Sequence, residues 1–360
     1  MTGRVVSFAW GRGLGHVSRL IAIHTELRAL GWDSLFLTER EQRLTTDHGF
    51  AQVVVPTDAD SPVGELLPGT GPAVDHRLAQ ALVAQVLTAE DVVLHDDTVQ
   101  RELYQRAARL GCPQFLVHRF RRNRLDPAAW VARHAPAIER VYLLGEPGRE
   151  EIAHGVRLSG IPHVVRRPLD TRSPWRTGTG EPRIAVVAGS GGHRDAAGFL
   201  DAGLRAVRLY GRRHDPRPVD LLVLTGPNFR GAVTVPPGLA GPVRVLPYLG
   251  PGYDLYRHAT AAITHAGYST VQELARSGVP AVVVPGVRDL DDQRVHLRAA
   301  GGRLNAMVVA AEPGVMAQAL FLVLRAGRRA PATDPPESGG AVWIARDLTA
   351  PPRRAGARLG

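Results

Sequence analysis

The sequence has 360 residues, a hydrophobic fraction of 44% and a formal net charge of +10. The length predicts two domains, and the composition excludes a fibrous or largely disordered chain. All 44 basic residues are arginine and are scattered among 34 acidic ones, so we expect no nucleic-acid-binding surface. The single cysteine, Cys112, excludes an internal disulfide framework.

The elements of the first half alternate between short apolar strands and amphipathic helices. Strands are predicted at residues 5–10, 34–38, 53–55, 92–94, 114–117 and 141–144, and helices at 17–30, 79–87 and 99–110. Gly31 is placed to end the first helix. After the predicted strand at 114–117 stand Arg119, Arg121, Arg122 and Arg124. We interpret them as a solvated basic face, with a local anion site as the alternative.

The same alternation restarts after a polar stretch rich in proline and glycine. Strands are predicted at residues 184–188, 221–224, 243–246, 261–264 and 281–284, with a helix at 196–210. We therefore predict domains at 1–165 and 183–328, a linker at 166–182, and a flexible tail at 329–360 with a short helix at 341–348. Alternating strands and helices predict an α/β fold with doubly wound, mainly parallel sheets.

Nothing in the sequence directs the chain to a membrane. The first residues lack the charged and apolar regions of a signal peptide, and no apolar run reaches the roughly eighteen residues of a membrane span. We therefore expect a cytoplasmic protein with no membrane span, either a monomer or a homodimer.

The first glycine-rich motif, residues 11–19, reads GRGLGHVSR and joins the first strand to the first helix. Glycines allow a sharp turn and the close approach of a ligand to the peptide N–H groups. A nicotinamide-dinucleotide loop is an alternative, because Glu39 stands near the end of the second strand. That fingerprint, however, requires the spacing G-x-G-x-x-G, which this loop lacks.

His16 stands at the beginning of the helix that follows this loop. The positive end of a helix dipole disfavours imidazolium, so a neutral ring able to accept a proton is expected there. Such a ring suits a general base. Asp96 and Asp97 end a buried strand, where ligands of doubly wound sheets bind. Either aspartate is predicted to orient His16 or to bind an acceptor. The alternative is that Asp97 or Thr98 caps the helix at 99–110.

The second motif, residues 263–285, has the order strand, glycine turn, helix, glycine stop, strand. Ser269 and Thr270 lie where a helix begins, and hydroxyls beside free N–H groups can bind a diphosphate. Glu273 follows one turn later, where its carboxylate can accept hydrogen bonds from both hydroxyls of a ribose. The pattern therefore predicts a nucleotide site.

Both motifs resemble those of GT-B glycosyltransferases, which have two Rossmann-like domains facing each other across a cleft. Residues 13–19 are similar to the glycine–histidine loop of the lipid II-forming N-acetylglucosaminyltransferases and of natural-product glycosyltransferases. Residues 263–285 resemble the donor-binding signature of the same family 28-like group. The resemblance covers about residues 4–325 and implies an actinobacterial natural-product enzyme.

The resemblance also implies the roles of individual residues. His16 receives a catalytic role from it, and we assign catalytic roles to Asp96 and Asp97 from their place at the end of a strand. Donor-binding roles fall to Gly13, Gly15, Gly189, Ser190, Gly191, Gly192, His265, Gly267, Ser269, Thr270, Glu273, Asp292 and Gln293. Asp289-Leu290-Asp291 could be taken for the metal site of the other glycosyltransferase fold, but the surrounding strand and helix order does not fit it. No metal and no cofactor are expected.

The implied reaction is inverting transfer of a sugar from a UDP- or dTDP-sugar to a hydroxyl or amine of a small molecule. Two alternatives remain. A nucleotide-sugar hydrolase on the same fold is favoured by Arg19, which completes a Gly-x-Gly-His-x-x-Arg pattern similar to hydrolases of the pseudaminic acid pathway. A non-catalytic nucleotide-sugar-binding protein is the other. The acidic residues Asp58, Asp60, Glu65 and Asp75 suggest a cationic acceptor such as an aminocyclitol or amino sugar.

Overall fold

The computed structural model describes residues 3–10, 14–56, 59–60, 75–119, 126–175, 180–286, 293–330 and 339–350. The chain forms two compact units. Unit 1 contains residues 1–11, 16–165 and 335–360, and unit 2 contains residues 12–15 and 166–334. Within the described segments, no helix has the length and apolar character needed to cross a bilayer.

The elements of the first half follow the predicted alternation. They are β1 (Arg4–Ala9), α1 (Leu14–Ala29), β2 (Asp33–Thr38), α2 (Arg43–Asp47), β3 (Ala51–Val54), β4 (Ala59–Asp60), α3 (His76–Val86), β5 (Asp91–Asp96), β6 (Val99–Gln100), α4 (Arg101–Leu110), β7 (Gln114–Arg119), α5 (Pro127–His134), β8 (Ile138–Leu144), β9 (Glu150–Ala153) and β10 (Val156–Ile161). Gly31, with a φ of +81°, adopts the left-handed conformation just after α1.

The second half continues the pattern to the last described residues. Its elements are β11 (Arg183–Val187), α6 (Ala196–Arg213), β12 (Asp220–Leu224), β13 (Val243–Leu246), α7 (Leu255–His258), β14 (Ala261–His265), α8 (Tyr268–Ser277), β15 (Ala281–Val284), α9 (Gln293–Ala300), a 3₁₀ turn (Gly301–Arg303), β16 (Ala306–Val308), α10 (Pro313–Ala326) and α11 (Gly340–Thr349).

The sheet of unit 1 has the strand order β3-β2-β1-β5-β7-β8-β10-β9. Its strands are parallel except for β9, which runs antiparallel to β10. Every residue of β5 is buried, as expected where helices cover both faces of a parallel sheet. A second, two-stranded antiparallel sheet pairs β4 with β6.

The sheet of unit 2 has the order β13-β12-β11-β14-β15-β16 and is parallel throughout. Successive residues of β11 belong to two different cores. Ile184 and Val186 pack with α6 and α10 on one face, whereas Ala185 and Val187 pack with α8 on the other. Helices on both faces of a parallel sheet confirm the predicted doubly wound α/β class.

The predicted helix at residues 99–110 is wrong in its first turn. Val99 and Gln100 form β6, and α4 begins at Arg101. The side chain of Gln100, rather than that of Asp97 or Thr98, caps α4 by accepting a hydrogen bond from the Leu103 N–H. Asp97 is unavailable for capping because its carboxylate binds arginines, as described below.

The predicted short helix near the C-terminus is present as α11 and packs within unit 1. The Asp347 carboxylate of α11 pairs with Arg140 of β8 and accepts a hydrogen bond from the Tyr142 hydroxyl at 2.8 Å. Trp343 packs edge-on against the Tyr142 ring. The remainder of the predicted tail, residues 331–338 and 351–360, lies outside the described residues.

Candidate functional site

The predicted motifs lie at corresponding places in the two sheets. In unit 1 the chain leaves β1 toward β2 and leaves β5 toward β7, on opposite sides. In unit 2 it leaves β11 toward β12 and β14 toward β15 in the same way. Diverging connections open a crevice at the carboxyl ends of the central strands, where doubly wound proteins bind ligands.

His16 lies in the first turn of α1, beside the end of β5. Its Nδ1 is 3.2 Å from the backbone oxygen of Asp96 and 3.3 Å from the Asp96 Oδ2. Both oxygens are acceptors, so Nδ1 carries the proton. The lone pair then resides on Nε2.

Arg19, one turn further along α1, binds both aspartates of β5 and its connecting loop. Its Nη2 donates to both carboxylate oxygens of Asp96 at 2.9 Å and to the Asp97 Oδ2 at 3.0 Å. Both Nη2 hydrogens are thus directed at carboxylates, although the atom is also 3.4 Å from the His16 Nδ1. Arg19 is 1% exposed and the two aspartates are not exposed, so this is a buried ion-pair network.

Arg119, the last residue of β7, completes the network from the other side. Its Nε donates to the Asp97 Oδ2 at 2.7 Å, and its backbone N–H donates to Oδ1 at 3.0 Å. Asp97 has a φ of +57°, an unusual conformation for a non-glycine residue that turns its side chain toward these partners. We refer to His16, Arg19, Asp96, Asp97 and Arg119 as the His16 site.

The interpretation of Arg119 as part of a solvated basic face is therefore wrong. Its side chain is 13% exposed and paired with a buried carboxylate. Arg121, Arg122 and Arg124 lie outside the described residues. Sequence reasoning missed Arg119 although one signal was available, since Arg119 ends the strand next to β5, at the same edge of the sheet.

The surroundings of His16 favour a neutral ring. Burial lowers the pKa of His16 below its ordinary 6.5, and the charge of Arg19 lowers it further, whereas Asp96 and Asp97 act to raise it. His95, the neighbour of Asp96, faces elsewhere, because its Nε2 bonds the side-chain oxygen of Gln114. Burial lowers the pKa of His95 to about 4.

In unit 2, the predicted glycine loop after β11 packs against the loop after β12. Gly189 and Gly191 have φ values of +68° and +74°. A Cβ on Gly191 would lie 2.1 Å from the Thr225 carbonyl oxygen, and one on Gly226 would lie 2.2 Å from the Ser190 carbonyl carbon. Only glycine fits at these two positions, because the two backbones touch.

His193 follows this loop and is held by two acceptors. Its Nε2 is 3.0 Å from the backbone oxygen of Ala188, and its Nδ1 bonds the Asp195 carboxylate. The His193 ring also meets the His265 ring edge-on, with 4.7 Å between centroids. The sequence placed His193 only as the last residue of the glycine loop and placed no role on Asp195, since their proximity to His265 depends on the pairing of β11 with β14.

His265 ends β14, one residue beyond the predicted strand, and its ring is fixed on two sides. Its Nδ1 donates to the Val284 carbonyl oxygen at 2.8 Å, and its ring lies on the Phe199 ring with 4.0 Å between centroids. Gly267 then provides the extended residue before α8. The hydroxyl oxygen of Ser269, in the first turn of α8, is buried and lacks a hydrogen-bond partner in the described structure.

Gln293, the first residue of α9, joins the two loops that follow β14 and β15. Its Oε1 accepts hydrogen bonds from the Ala266 N–H at 3.0 Å and the Gly286 N–H at 2.8 Å. Since both partners are donors, only the amide oxygen can face them. The Gln293 NH₂ group is therefore the part that remains for a ligand. We call residues 189–193, 265–270 and Gln293 the glycine-loop site.

Thr270 and Glu273 lie on α8 beside further side chains of unit 2. Burial raises the pKa of the Tyr256 hydroxyl of α7, and Thr264 and Thr270 act to lower it. Glu273 is partly buried, and burial raises its pKa against the opposing effect of Arg166 and Arg276. Two arginine charges thus act on the carboxylate predicted to bind ribose.

Several predicted residues lie outside the described part of the chain. They are Gly13, Asp292 and residues 289–291. Gly15 is described and lies in the first turn of α1, and Gly192 follows Gly191 in the loop after β11. Of the predicted acidic loop, Asp58 and Glu65 lie outside as well, and Asp75 caps α3 by accepting from the Leu78 N–H.

Two groups of described residues bring three possible metal-ligand atoms within 4.8 Å of one another. They are His16, Asp96 and Asp97, and His193, Asp195 and His265. In the first group, the Arg19 guanidinium already binds both carboxylates. In the second, both His193 nitrogens face protein acceptors. Protein charges and hydrogen bonds therefore account for both arrangements.

Comparison with known proteins identifies the class of the chain. Residues 184–313, which contain the whole glycine-loop site, match the glycosyltransferase family 28 C-terminal domain. The fold is similar to the glycosyltransferase SnogD from Streptomyces nogalater, with a TM-score of 0.58 and 17% identity over 97% of this chain and 99% of that one. The chain is a glycosyltransferase with the GT-B fold.

Curated relatives of this glycosyltransferase are named as transferases that use UDP-N-acetylglucosamine and an undecaprenol-linked acceptor. The relative from Frankia casuarinae is 27% identical over 98% of this chain and 97% of its own length. The relative from Sorangium cellulosum is 31% identical over 49% of this chain, but the match spans only 43% of that protein.

Proposed function

We propose that this glycosyltransferase moves a sugar from a UDP- or dTDP-sugar to a hydroxyl or amine of a small-molecule acceptor, with inversion at the anomeric carbon. The observation that carries the proposal is the orientation of His16. Its Nδ1–H is directed to Asp96, so Nε2 can accept a proton from the acceptor as the new bond forms.

Donor binding is assigned to the glycine-loop site. Backbone N–H groups of residues 189–192, the first turn of α8 and the unpartnered Ser269 hydroxyl would bind the diphosphate and stabilise its charge as it leaves. Thr270 and His265 would bind beside it, Glu273 would bind the ribose, and Gln293 with Asp292 would bind the sugar.

The donor-only amide of Gln293 makes its proposed contact more specific. Because its oxygen is occupied by two backbone N–H groups, Gln293 would donate to an oxygen of the donor sugar or diphosphate. The reaction needs no metal in this proposal. We place it in the cytoplasm and in natural-product synthesis, and we expect a cationic acceptor.

The decisive experiment follows nucleoside diphosphate release by the full chain with UDP-GlcNAc or dTDP-glucose. Each donor is tested alone, with an aminocyclitol, and with a neutral polyol of similar size. We expect release that depends on an acceptor and a product whose mass includes both molecules. Equally fast release of free sugar without any acceptor would establish the hydrolase alternative instead.

Replacement of His16 tests the assigned base. His16→Ala should lower kcat/KM by about 10²- to 10⁴-fold, the usual contribution of a general base, while the donor dissociation constant stays within about threefold by calorimetry. Unchanged turnover in this variant would refute the base assignment. Donor binding with no turnover by the unmodified chain under any condition would favour the non-catalytic alternative.

A further inference from the structure

The proposed mechanism does not use the guanidinium of Arg19 in the His16 site. We propose that Arg19 is a positioning residue that fixes the Asp96 carboxylate against His16 and keeps the ring in its neutral, Nδ1-protonated form. This inference rests on the proposed function, because it assigns how the proposed base is held ready.

The contacts of Arg19 restrict the Asp96 carboxylate to one orientation. Arg19 donates to the Asp96 Oδ1 from Nε at 3.1 Å and from Nη2 at 2.9 Å, and to Oδ2 from Nη2 at 2.9 Å. A carboxylate held by two nitrogens of one guanidinium cannot rotate freely. Its Oδ2 therefore stays 3.3 Å from the His16 Nδ1.

The charges around His16 sum to zero only when Arg19 is present. Asp96 and Asp97 bring two negative charges, which Arg19 and Arg119 balance. His118 also faces this network, with its Nδ1 3.5 Å from the Asp97 Oδ1. Loss of Arg19 would leave a net negative charge beside His16, and a nearby negative charge favours imidazolium. A protonated His16 cannot act as a base.

This role differs from a purely structural one. A buried arginine that merely stabilises unit 1 would leave the titration of His16 unchanged when it is replaced, provided that the fold survives. A positioning residue changes which nitrogen of His16 is protonated and the pH at which the ring takes up a second proton. Both properties can be measured without any substrate.

The experiment uses the full chain labelled with ¹⁵N-histidine and long-range ¹H–¹⁵N NMR from pH 4 to 9. The His16 signals are identified among the 14 histidines by their absence in His16→Ala. In the unmodified chain we expect a neutral Nδ1–H tautomer over the physiological range. Arg19→Gln should raise the midpoint of His16 by about one pH unit or more and shift the acid limb of the kcat/KM profile in parallel.

Two further variants separate charge from orientation. Arg19→Gln/Asp96→Asn removes one charge of each sign, so the His16 midpoint should return to within about half a pH unit of the unmodified value. Arg19→Lys keeps the charge but loses the two-nitrogen contact. It should leave the midpoint near that of the unmodified chain while lowering kcat at the pH optimum.

The outcomes are decisive in each direction. An unchanged midpoint and tautomer in folded Arg19→Gln would overturn the proposal. If Arg19→Gln does not fold, Arg119→Gln at the rim of the network should raise the midpoint of His16 by a smaller amount, and no rise would overturn the proposal. If the NMR results agree but acceptor-dependent transfer is absent, the proposed function fails while the role of Arg19 in holding His16 stands.

Discussion

The His16 site and the glycine-loop site are built in different ways, although both lie where connections diverge at the carboxyl ends of central strands. In the His16 site, buried charged side chains neutralise one another. In the glycine-loop site, the backbone is shaped by residues without a Cβ, and Gln293 accepts hydrogen bonds from two backbone N–H groups. The first site is set by charge balance, and the second is set by backbone shape.

The largest effect on stability is expected when one charge of the His16 site is removed. Asp96→Ala leaves Arg19 buried without its bidentate partner, and loss of one member of a buried pair costs about 3–5 kcal/mol. Hydrogen exchange measured at increasing denaturant concentration should locate that loss of stability in unit 1. Glu146→Ala removes a partner from the exposed Arg149 pair and should cost less than about 1 kcal/mol. Equal effects of the two substitutions would contradict the charge-balance description.

Acidification should also weaken unit 1 first. Burial lowers the pKa of His24 to about 3, and its ring lies between the hydroxyls of Ser7 and Ser34. Between pH 6.5 and 3 the unfolded chain binds a proton at His24 that the folded chain does not, so stability falls as the pH falls. At pH 5.5 the loss from His24 should be about 1.4 kcal/mol.

His24→Gln provides the control for this pH dependence. The variant should unfold with a shallower dependence on pH between 6.5 and 4.5, because the proton-binding difference at residue 24 is gone. Hydrogen exchange at pH 7 and pH 5 would locate the loss. If unit 2 opened before unit 1 on acidification, the assignment of acid sensitivity to the buried histidines would be wrong.

The backbone description of the second site predicts an effect smaller than that of Asp96→Ala, with a clear matched control. Gly191→Ala places a Cβ 2.1 Å from the Thr225 carbonyl oxygen at a residue with a φ of +74°. We expect about 2 kcal/mol of destabilisation and weaker donor binding. Gly198→Ala lies in α6, where a Cβ meets nothing within 4 Å, and should stabilise by about 0.5–1 kcal/mol. If Gly191→Ala changed neither the stability nor the donor affinity, residue 191 would not need to lack a Cβ.

The smallest effect should come from Gln293→Glu. Glutamate keeps an oxygen for the Ala266 and Gly286 N–H groups but has no N–H to offer a donor. Thermal stability should therefore change little, while the donor KM rises by roughly 5- to 15-fold, the loss of one hydrogen bond. Gln293→Ala should lower both stability and affinity. Equal donor KM values for Gln293→Glu and the unmodified chain would show that the amide hydrogens are not used.

The fold was predictable from local pattern because each unit repeats strand, glycine turn and helix. Short right-handed crossovers then fix parallel sheets and bring the motifs to the carboxyl ends of the strands. Gly31 and the helix α11 follow from the same kind of local signal. The element boundaries near β6 were less predictable, since Gln100 caps α4 only because Asp97 binds elsewhere.

The pairings within the candidate sites could not be predicted in the same way. Asp97 binds Arg19 across 78 residues of sequence and Arg119 across 22. No local propensity reveals which of 44 arginines reaches a given carboxylate. The same holds for Gln293, whose side-chain orientation depends on two backbone N–H groups brought together by the pairing of β14 with β15.

The position of α11 has a consequence for how the chain is made. Asp347 of α11 pairs with Arg140, which lies 207 residues earlier in the chain. The buried face of α11, which includes Ile344 and Leu348, packs in unit 1, whose sheet is synthesised before that of unit 2. All segments of unit 2 have been synthesised once residue 334 has been added. Unit 1 gains Asp347, the hydrogen-bond acceptor of the Tyr142 hydroxyl, only when α11 has been synthesised. Translation therefore finishes the second unit before the first.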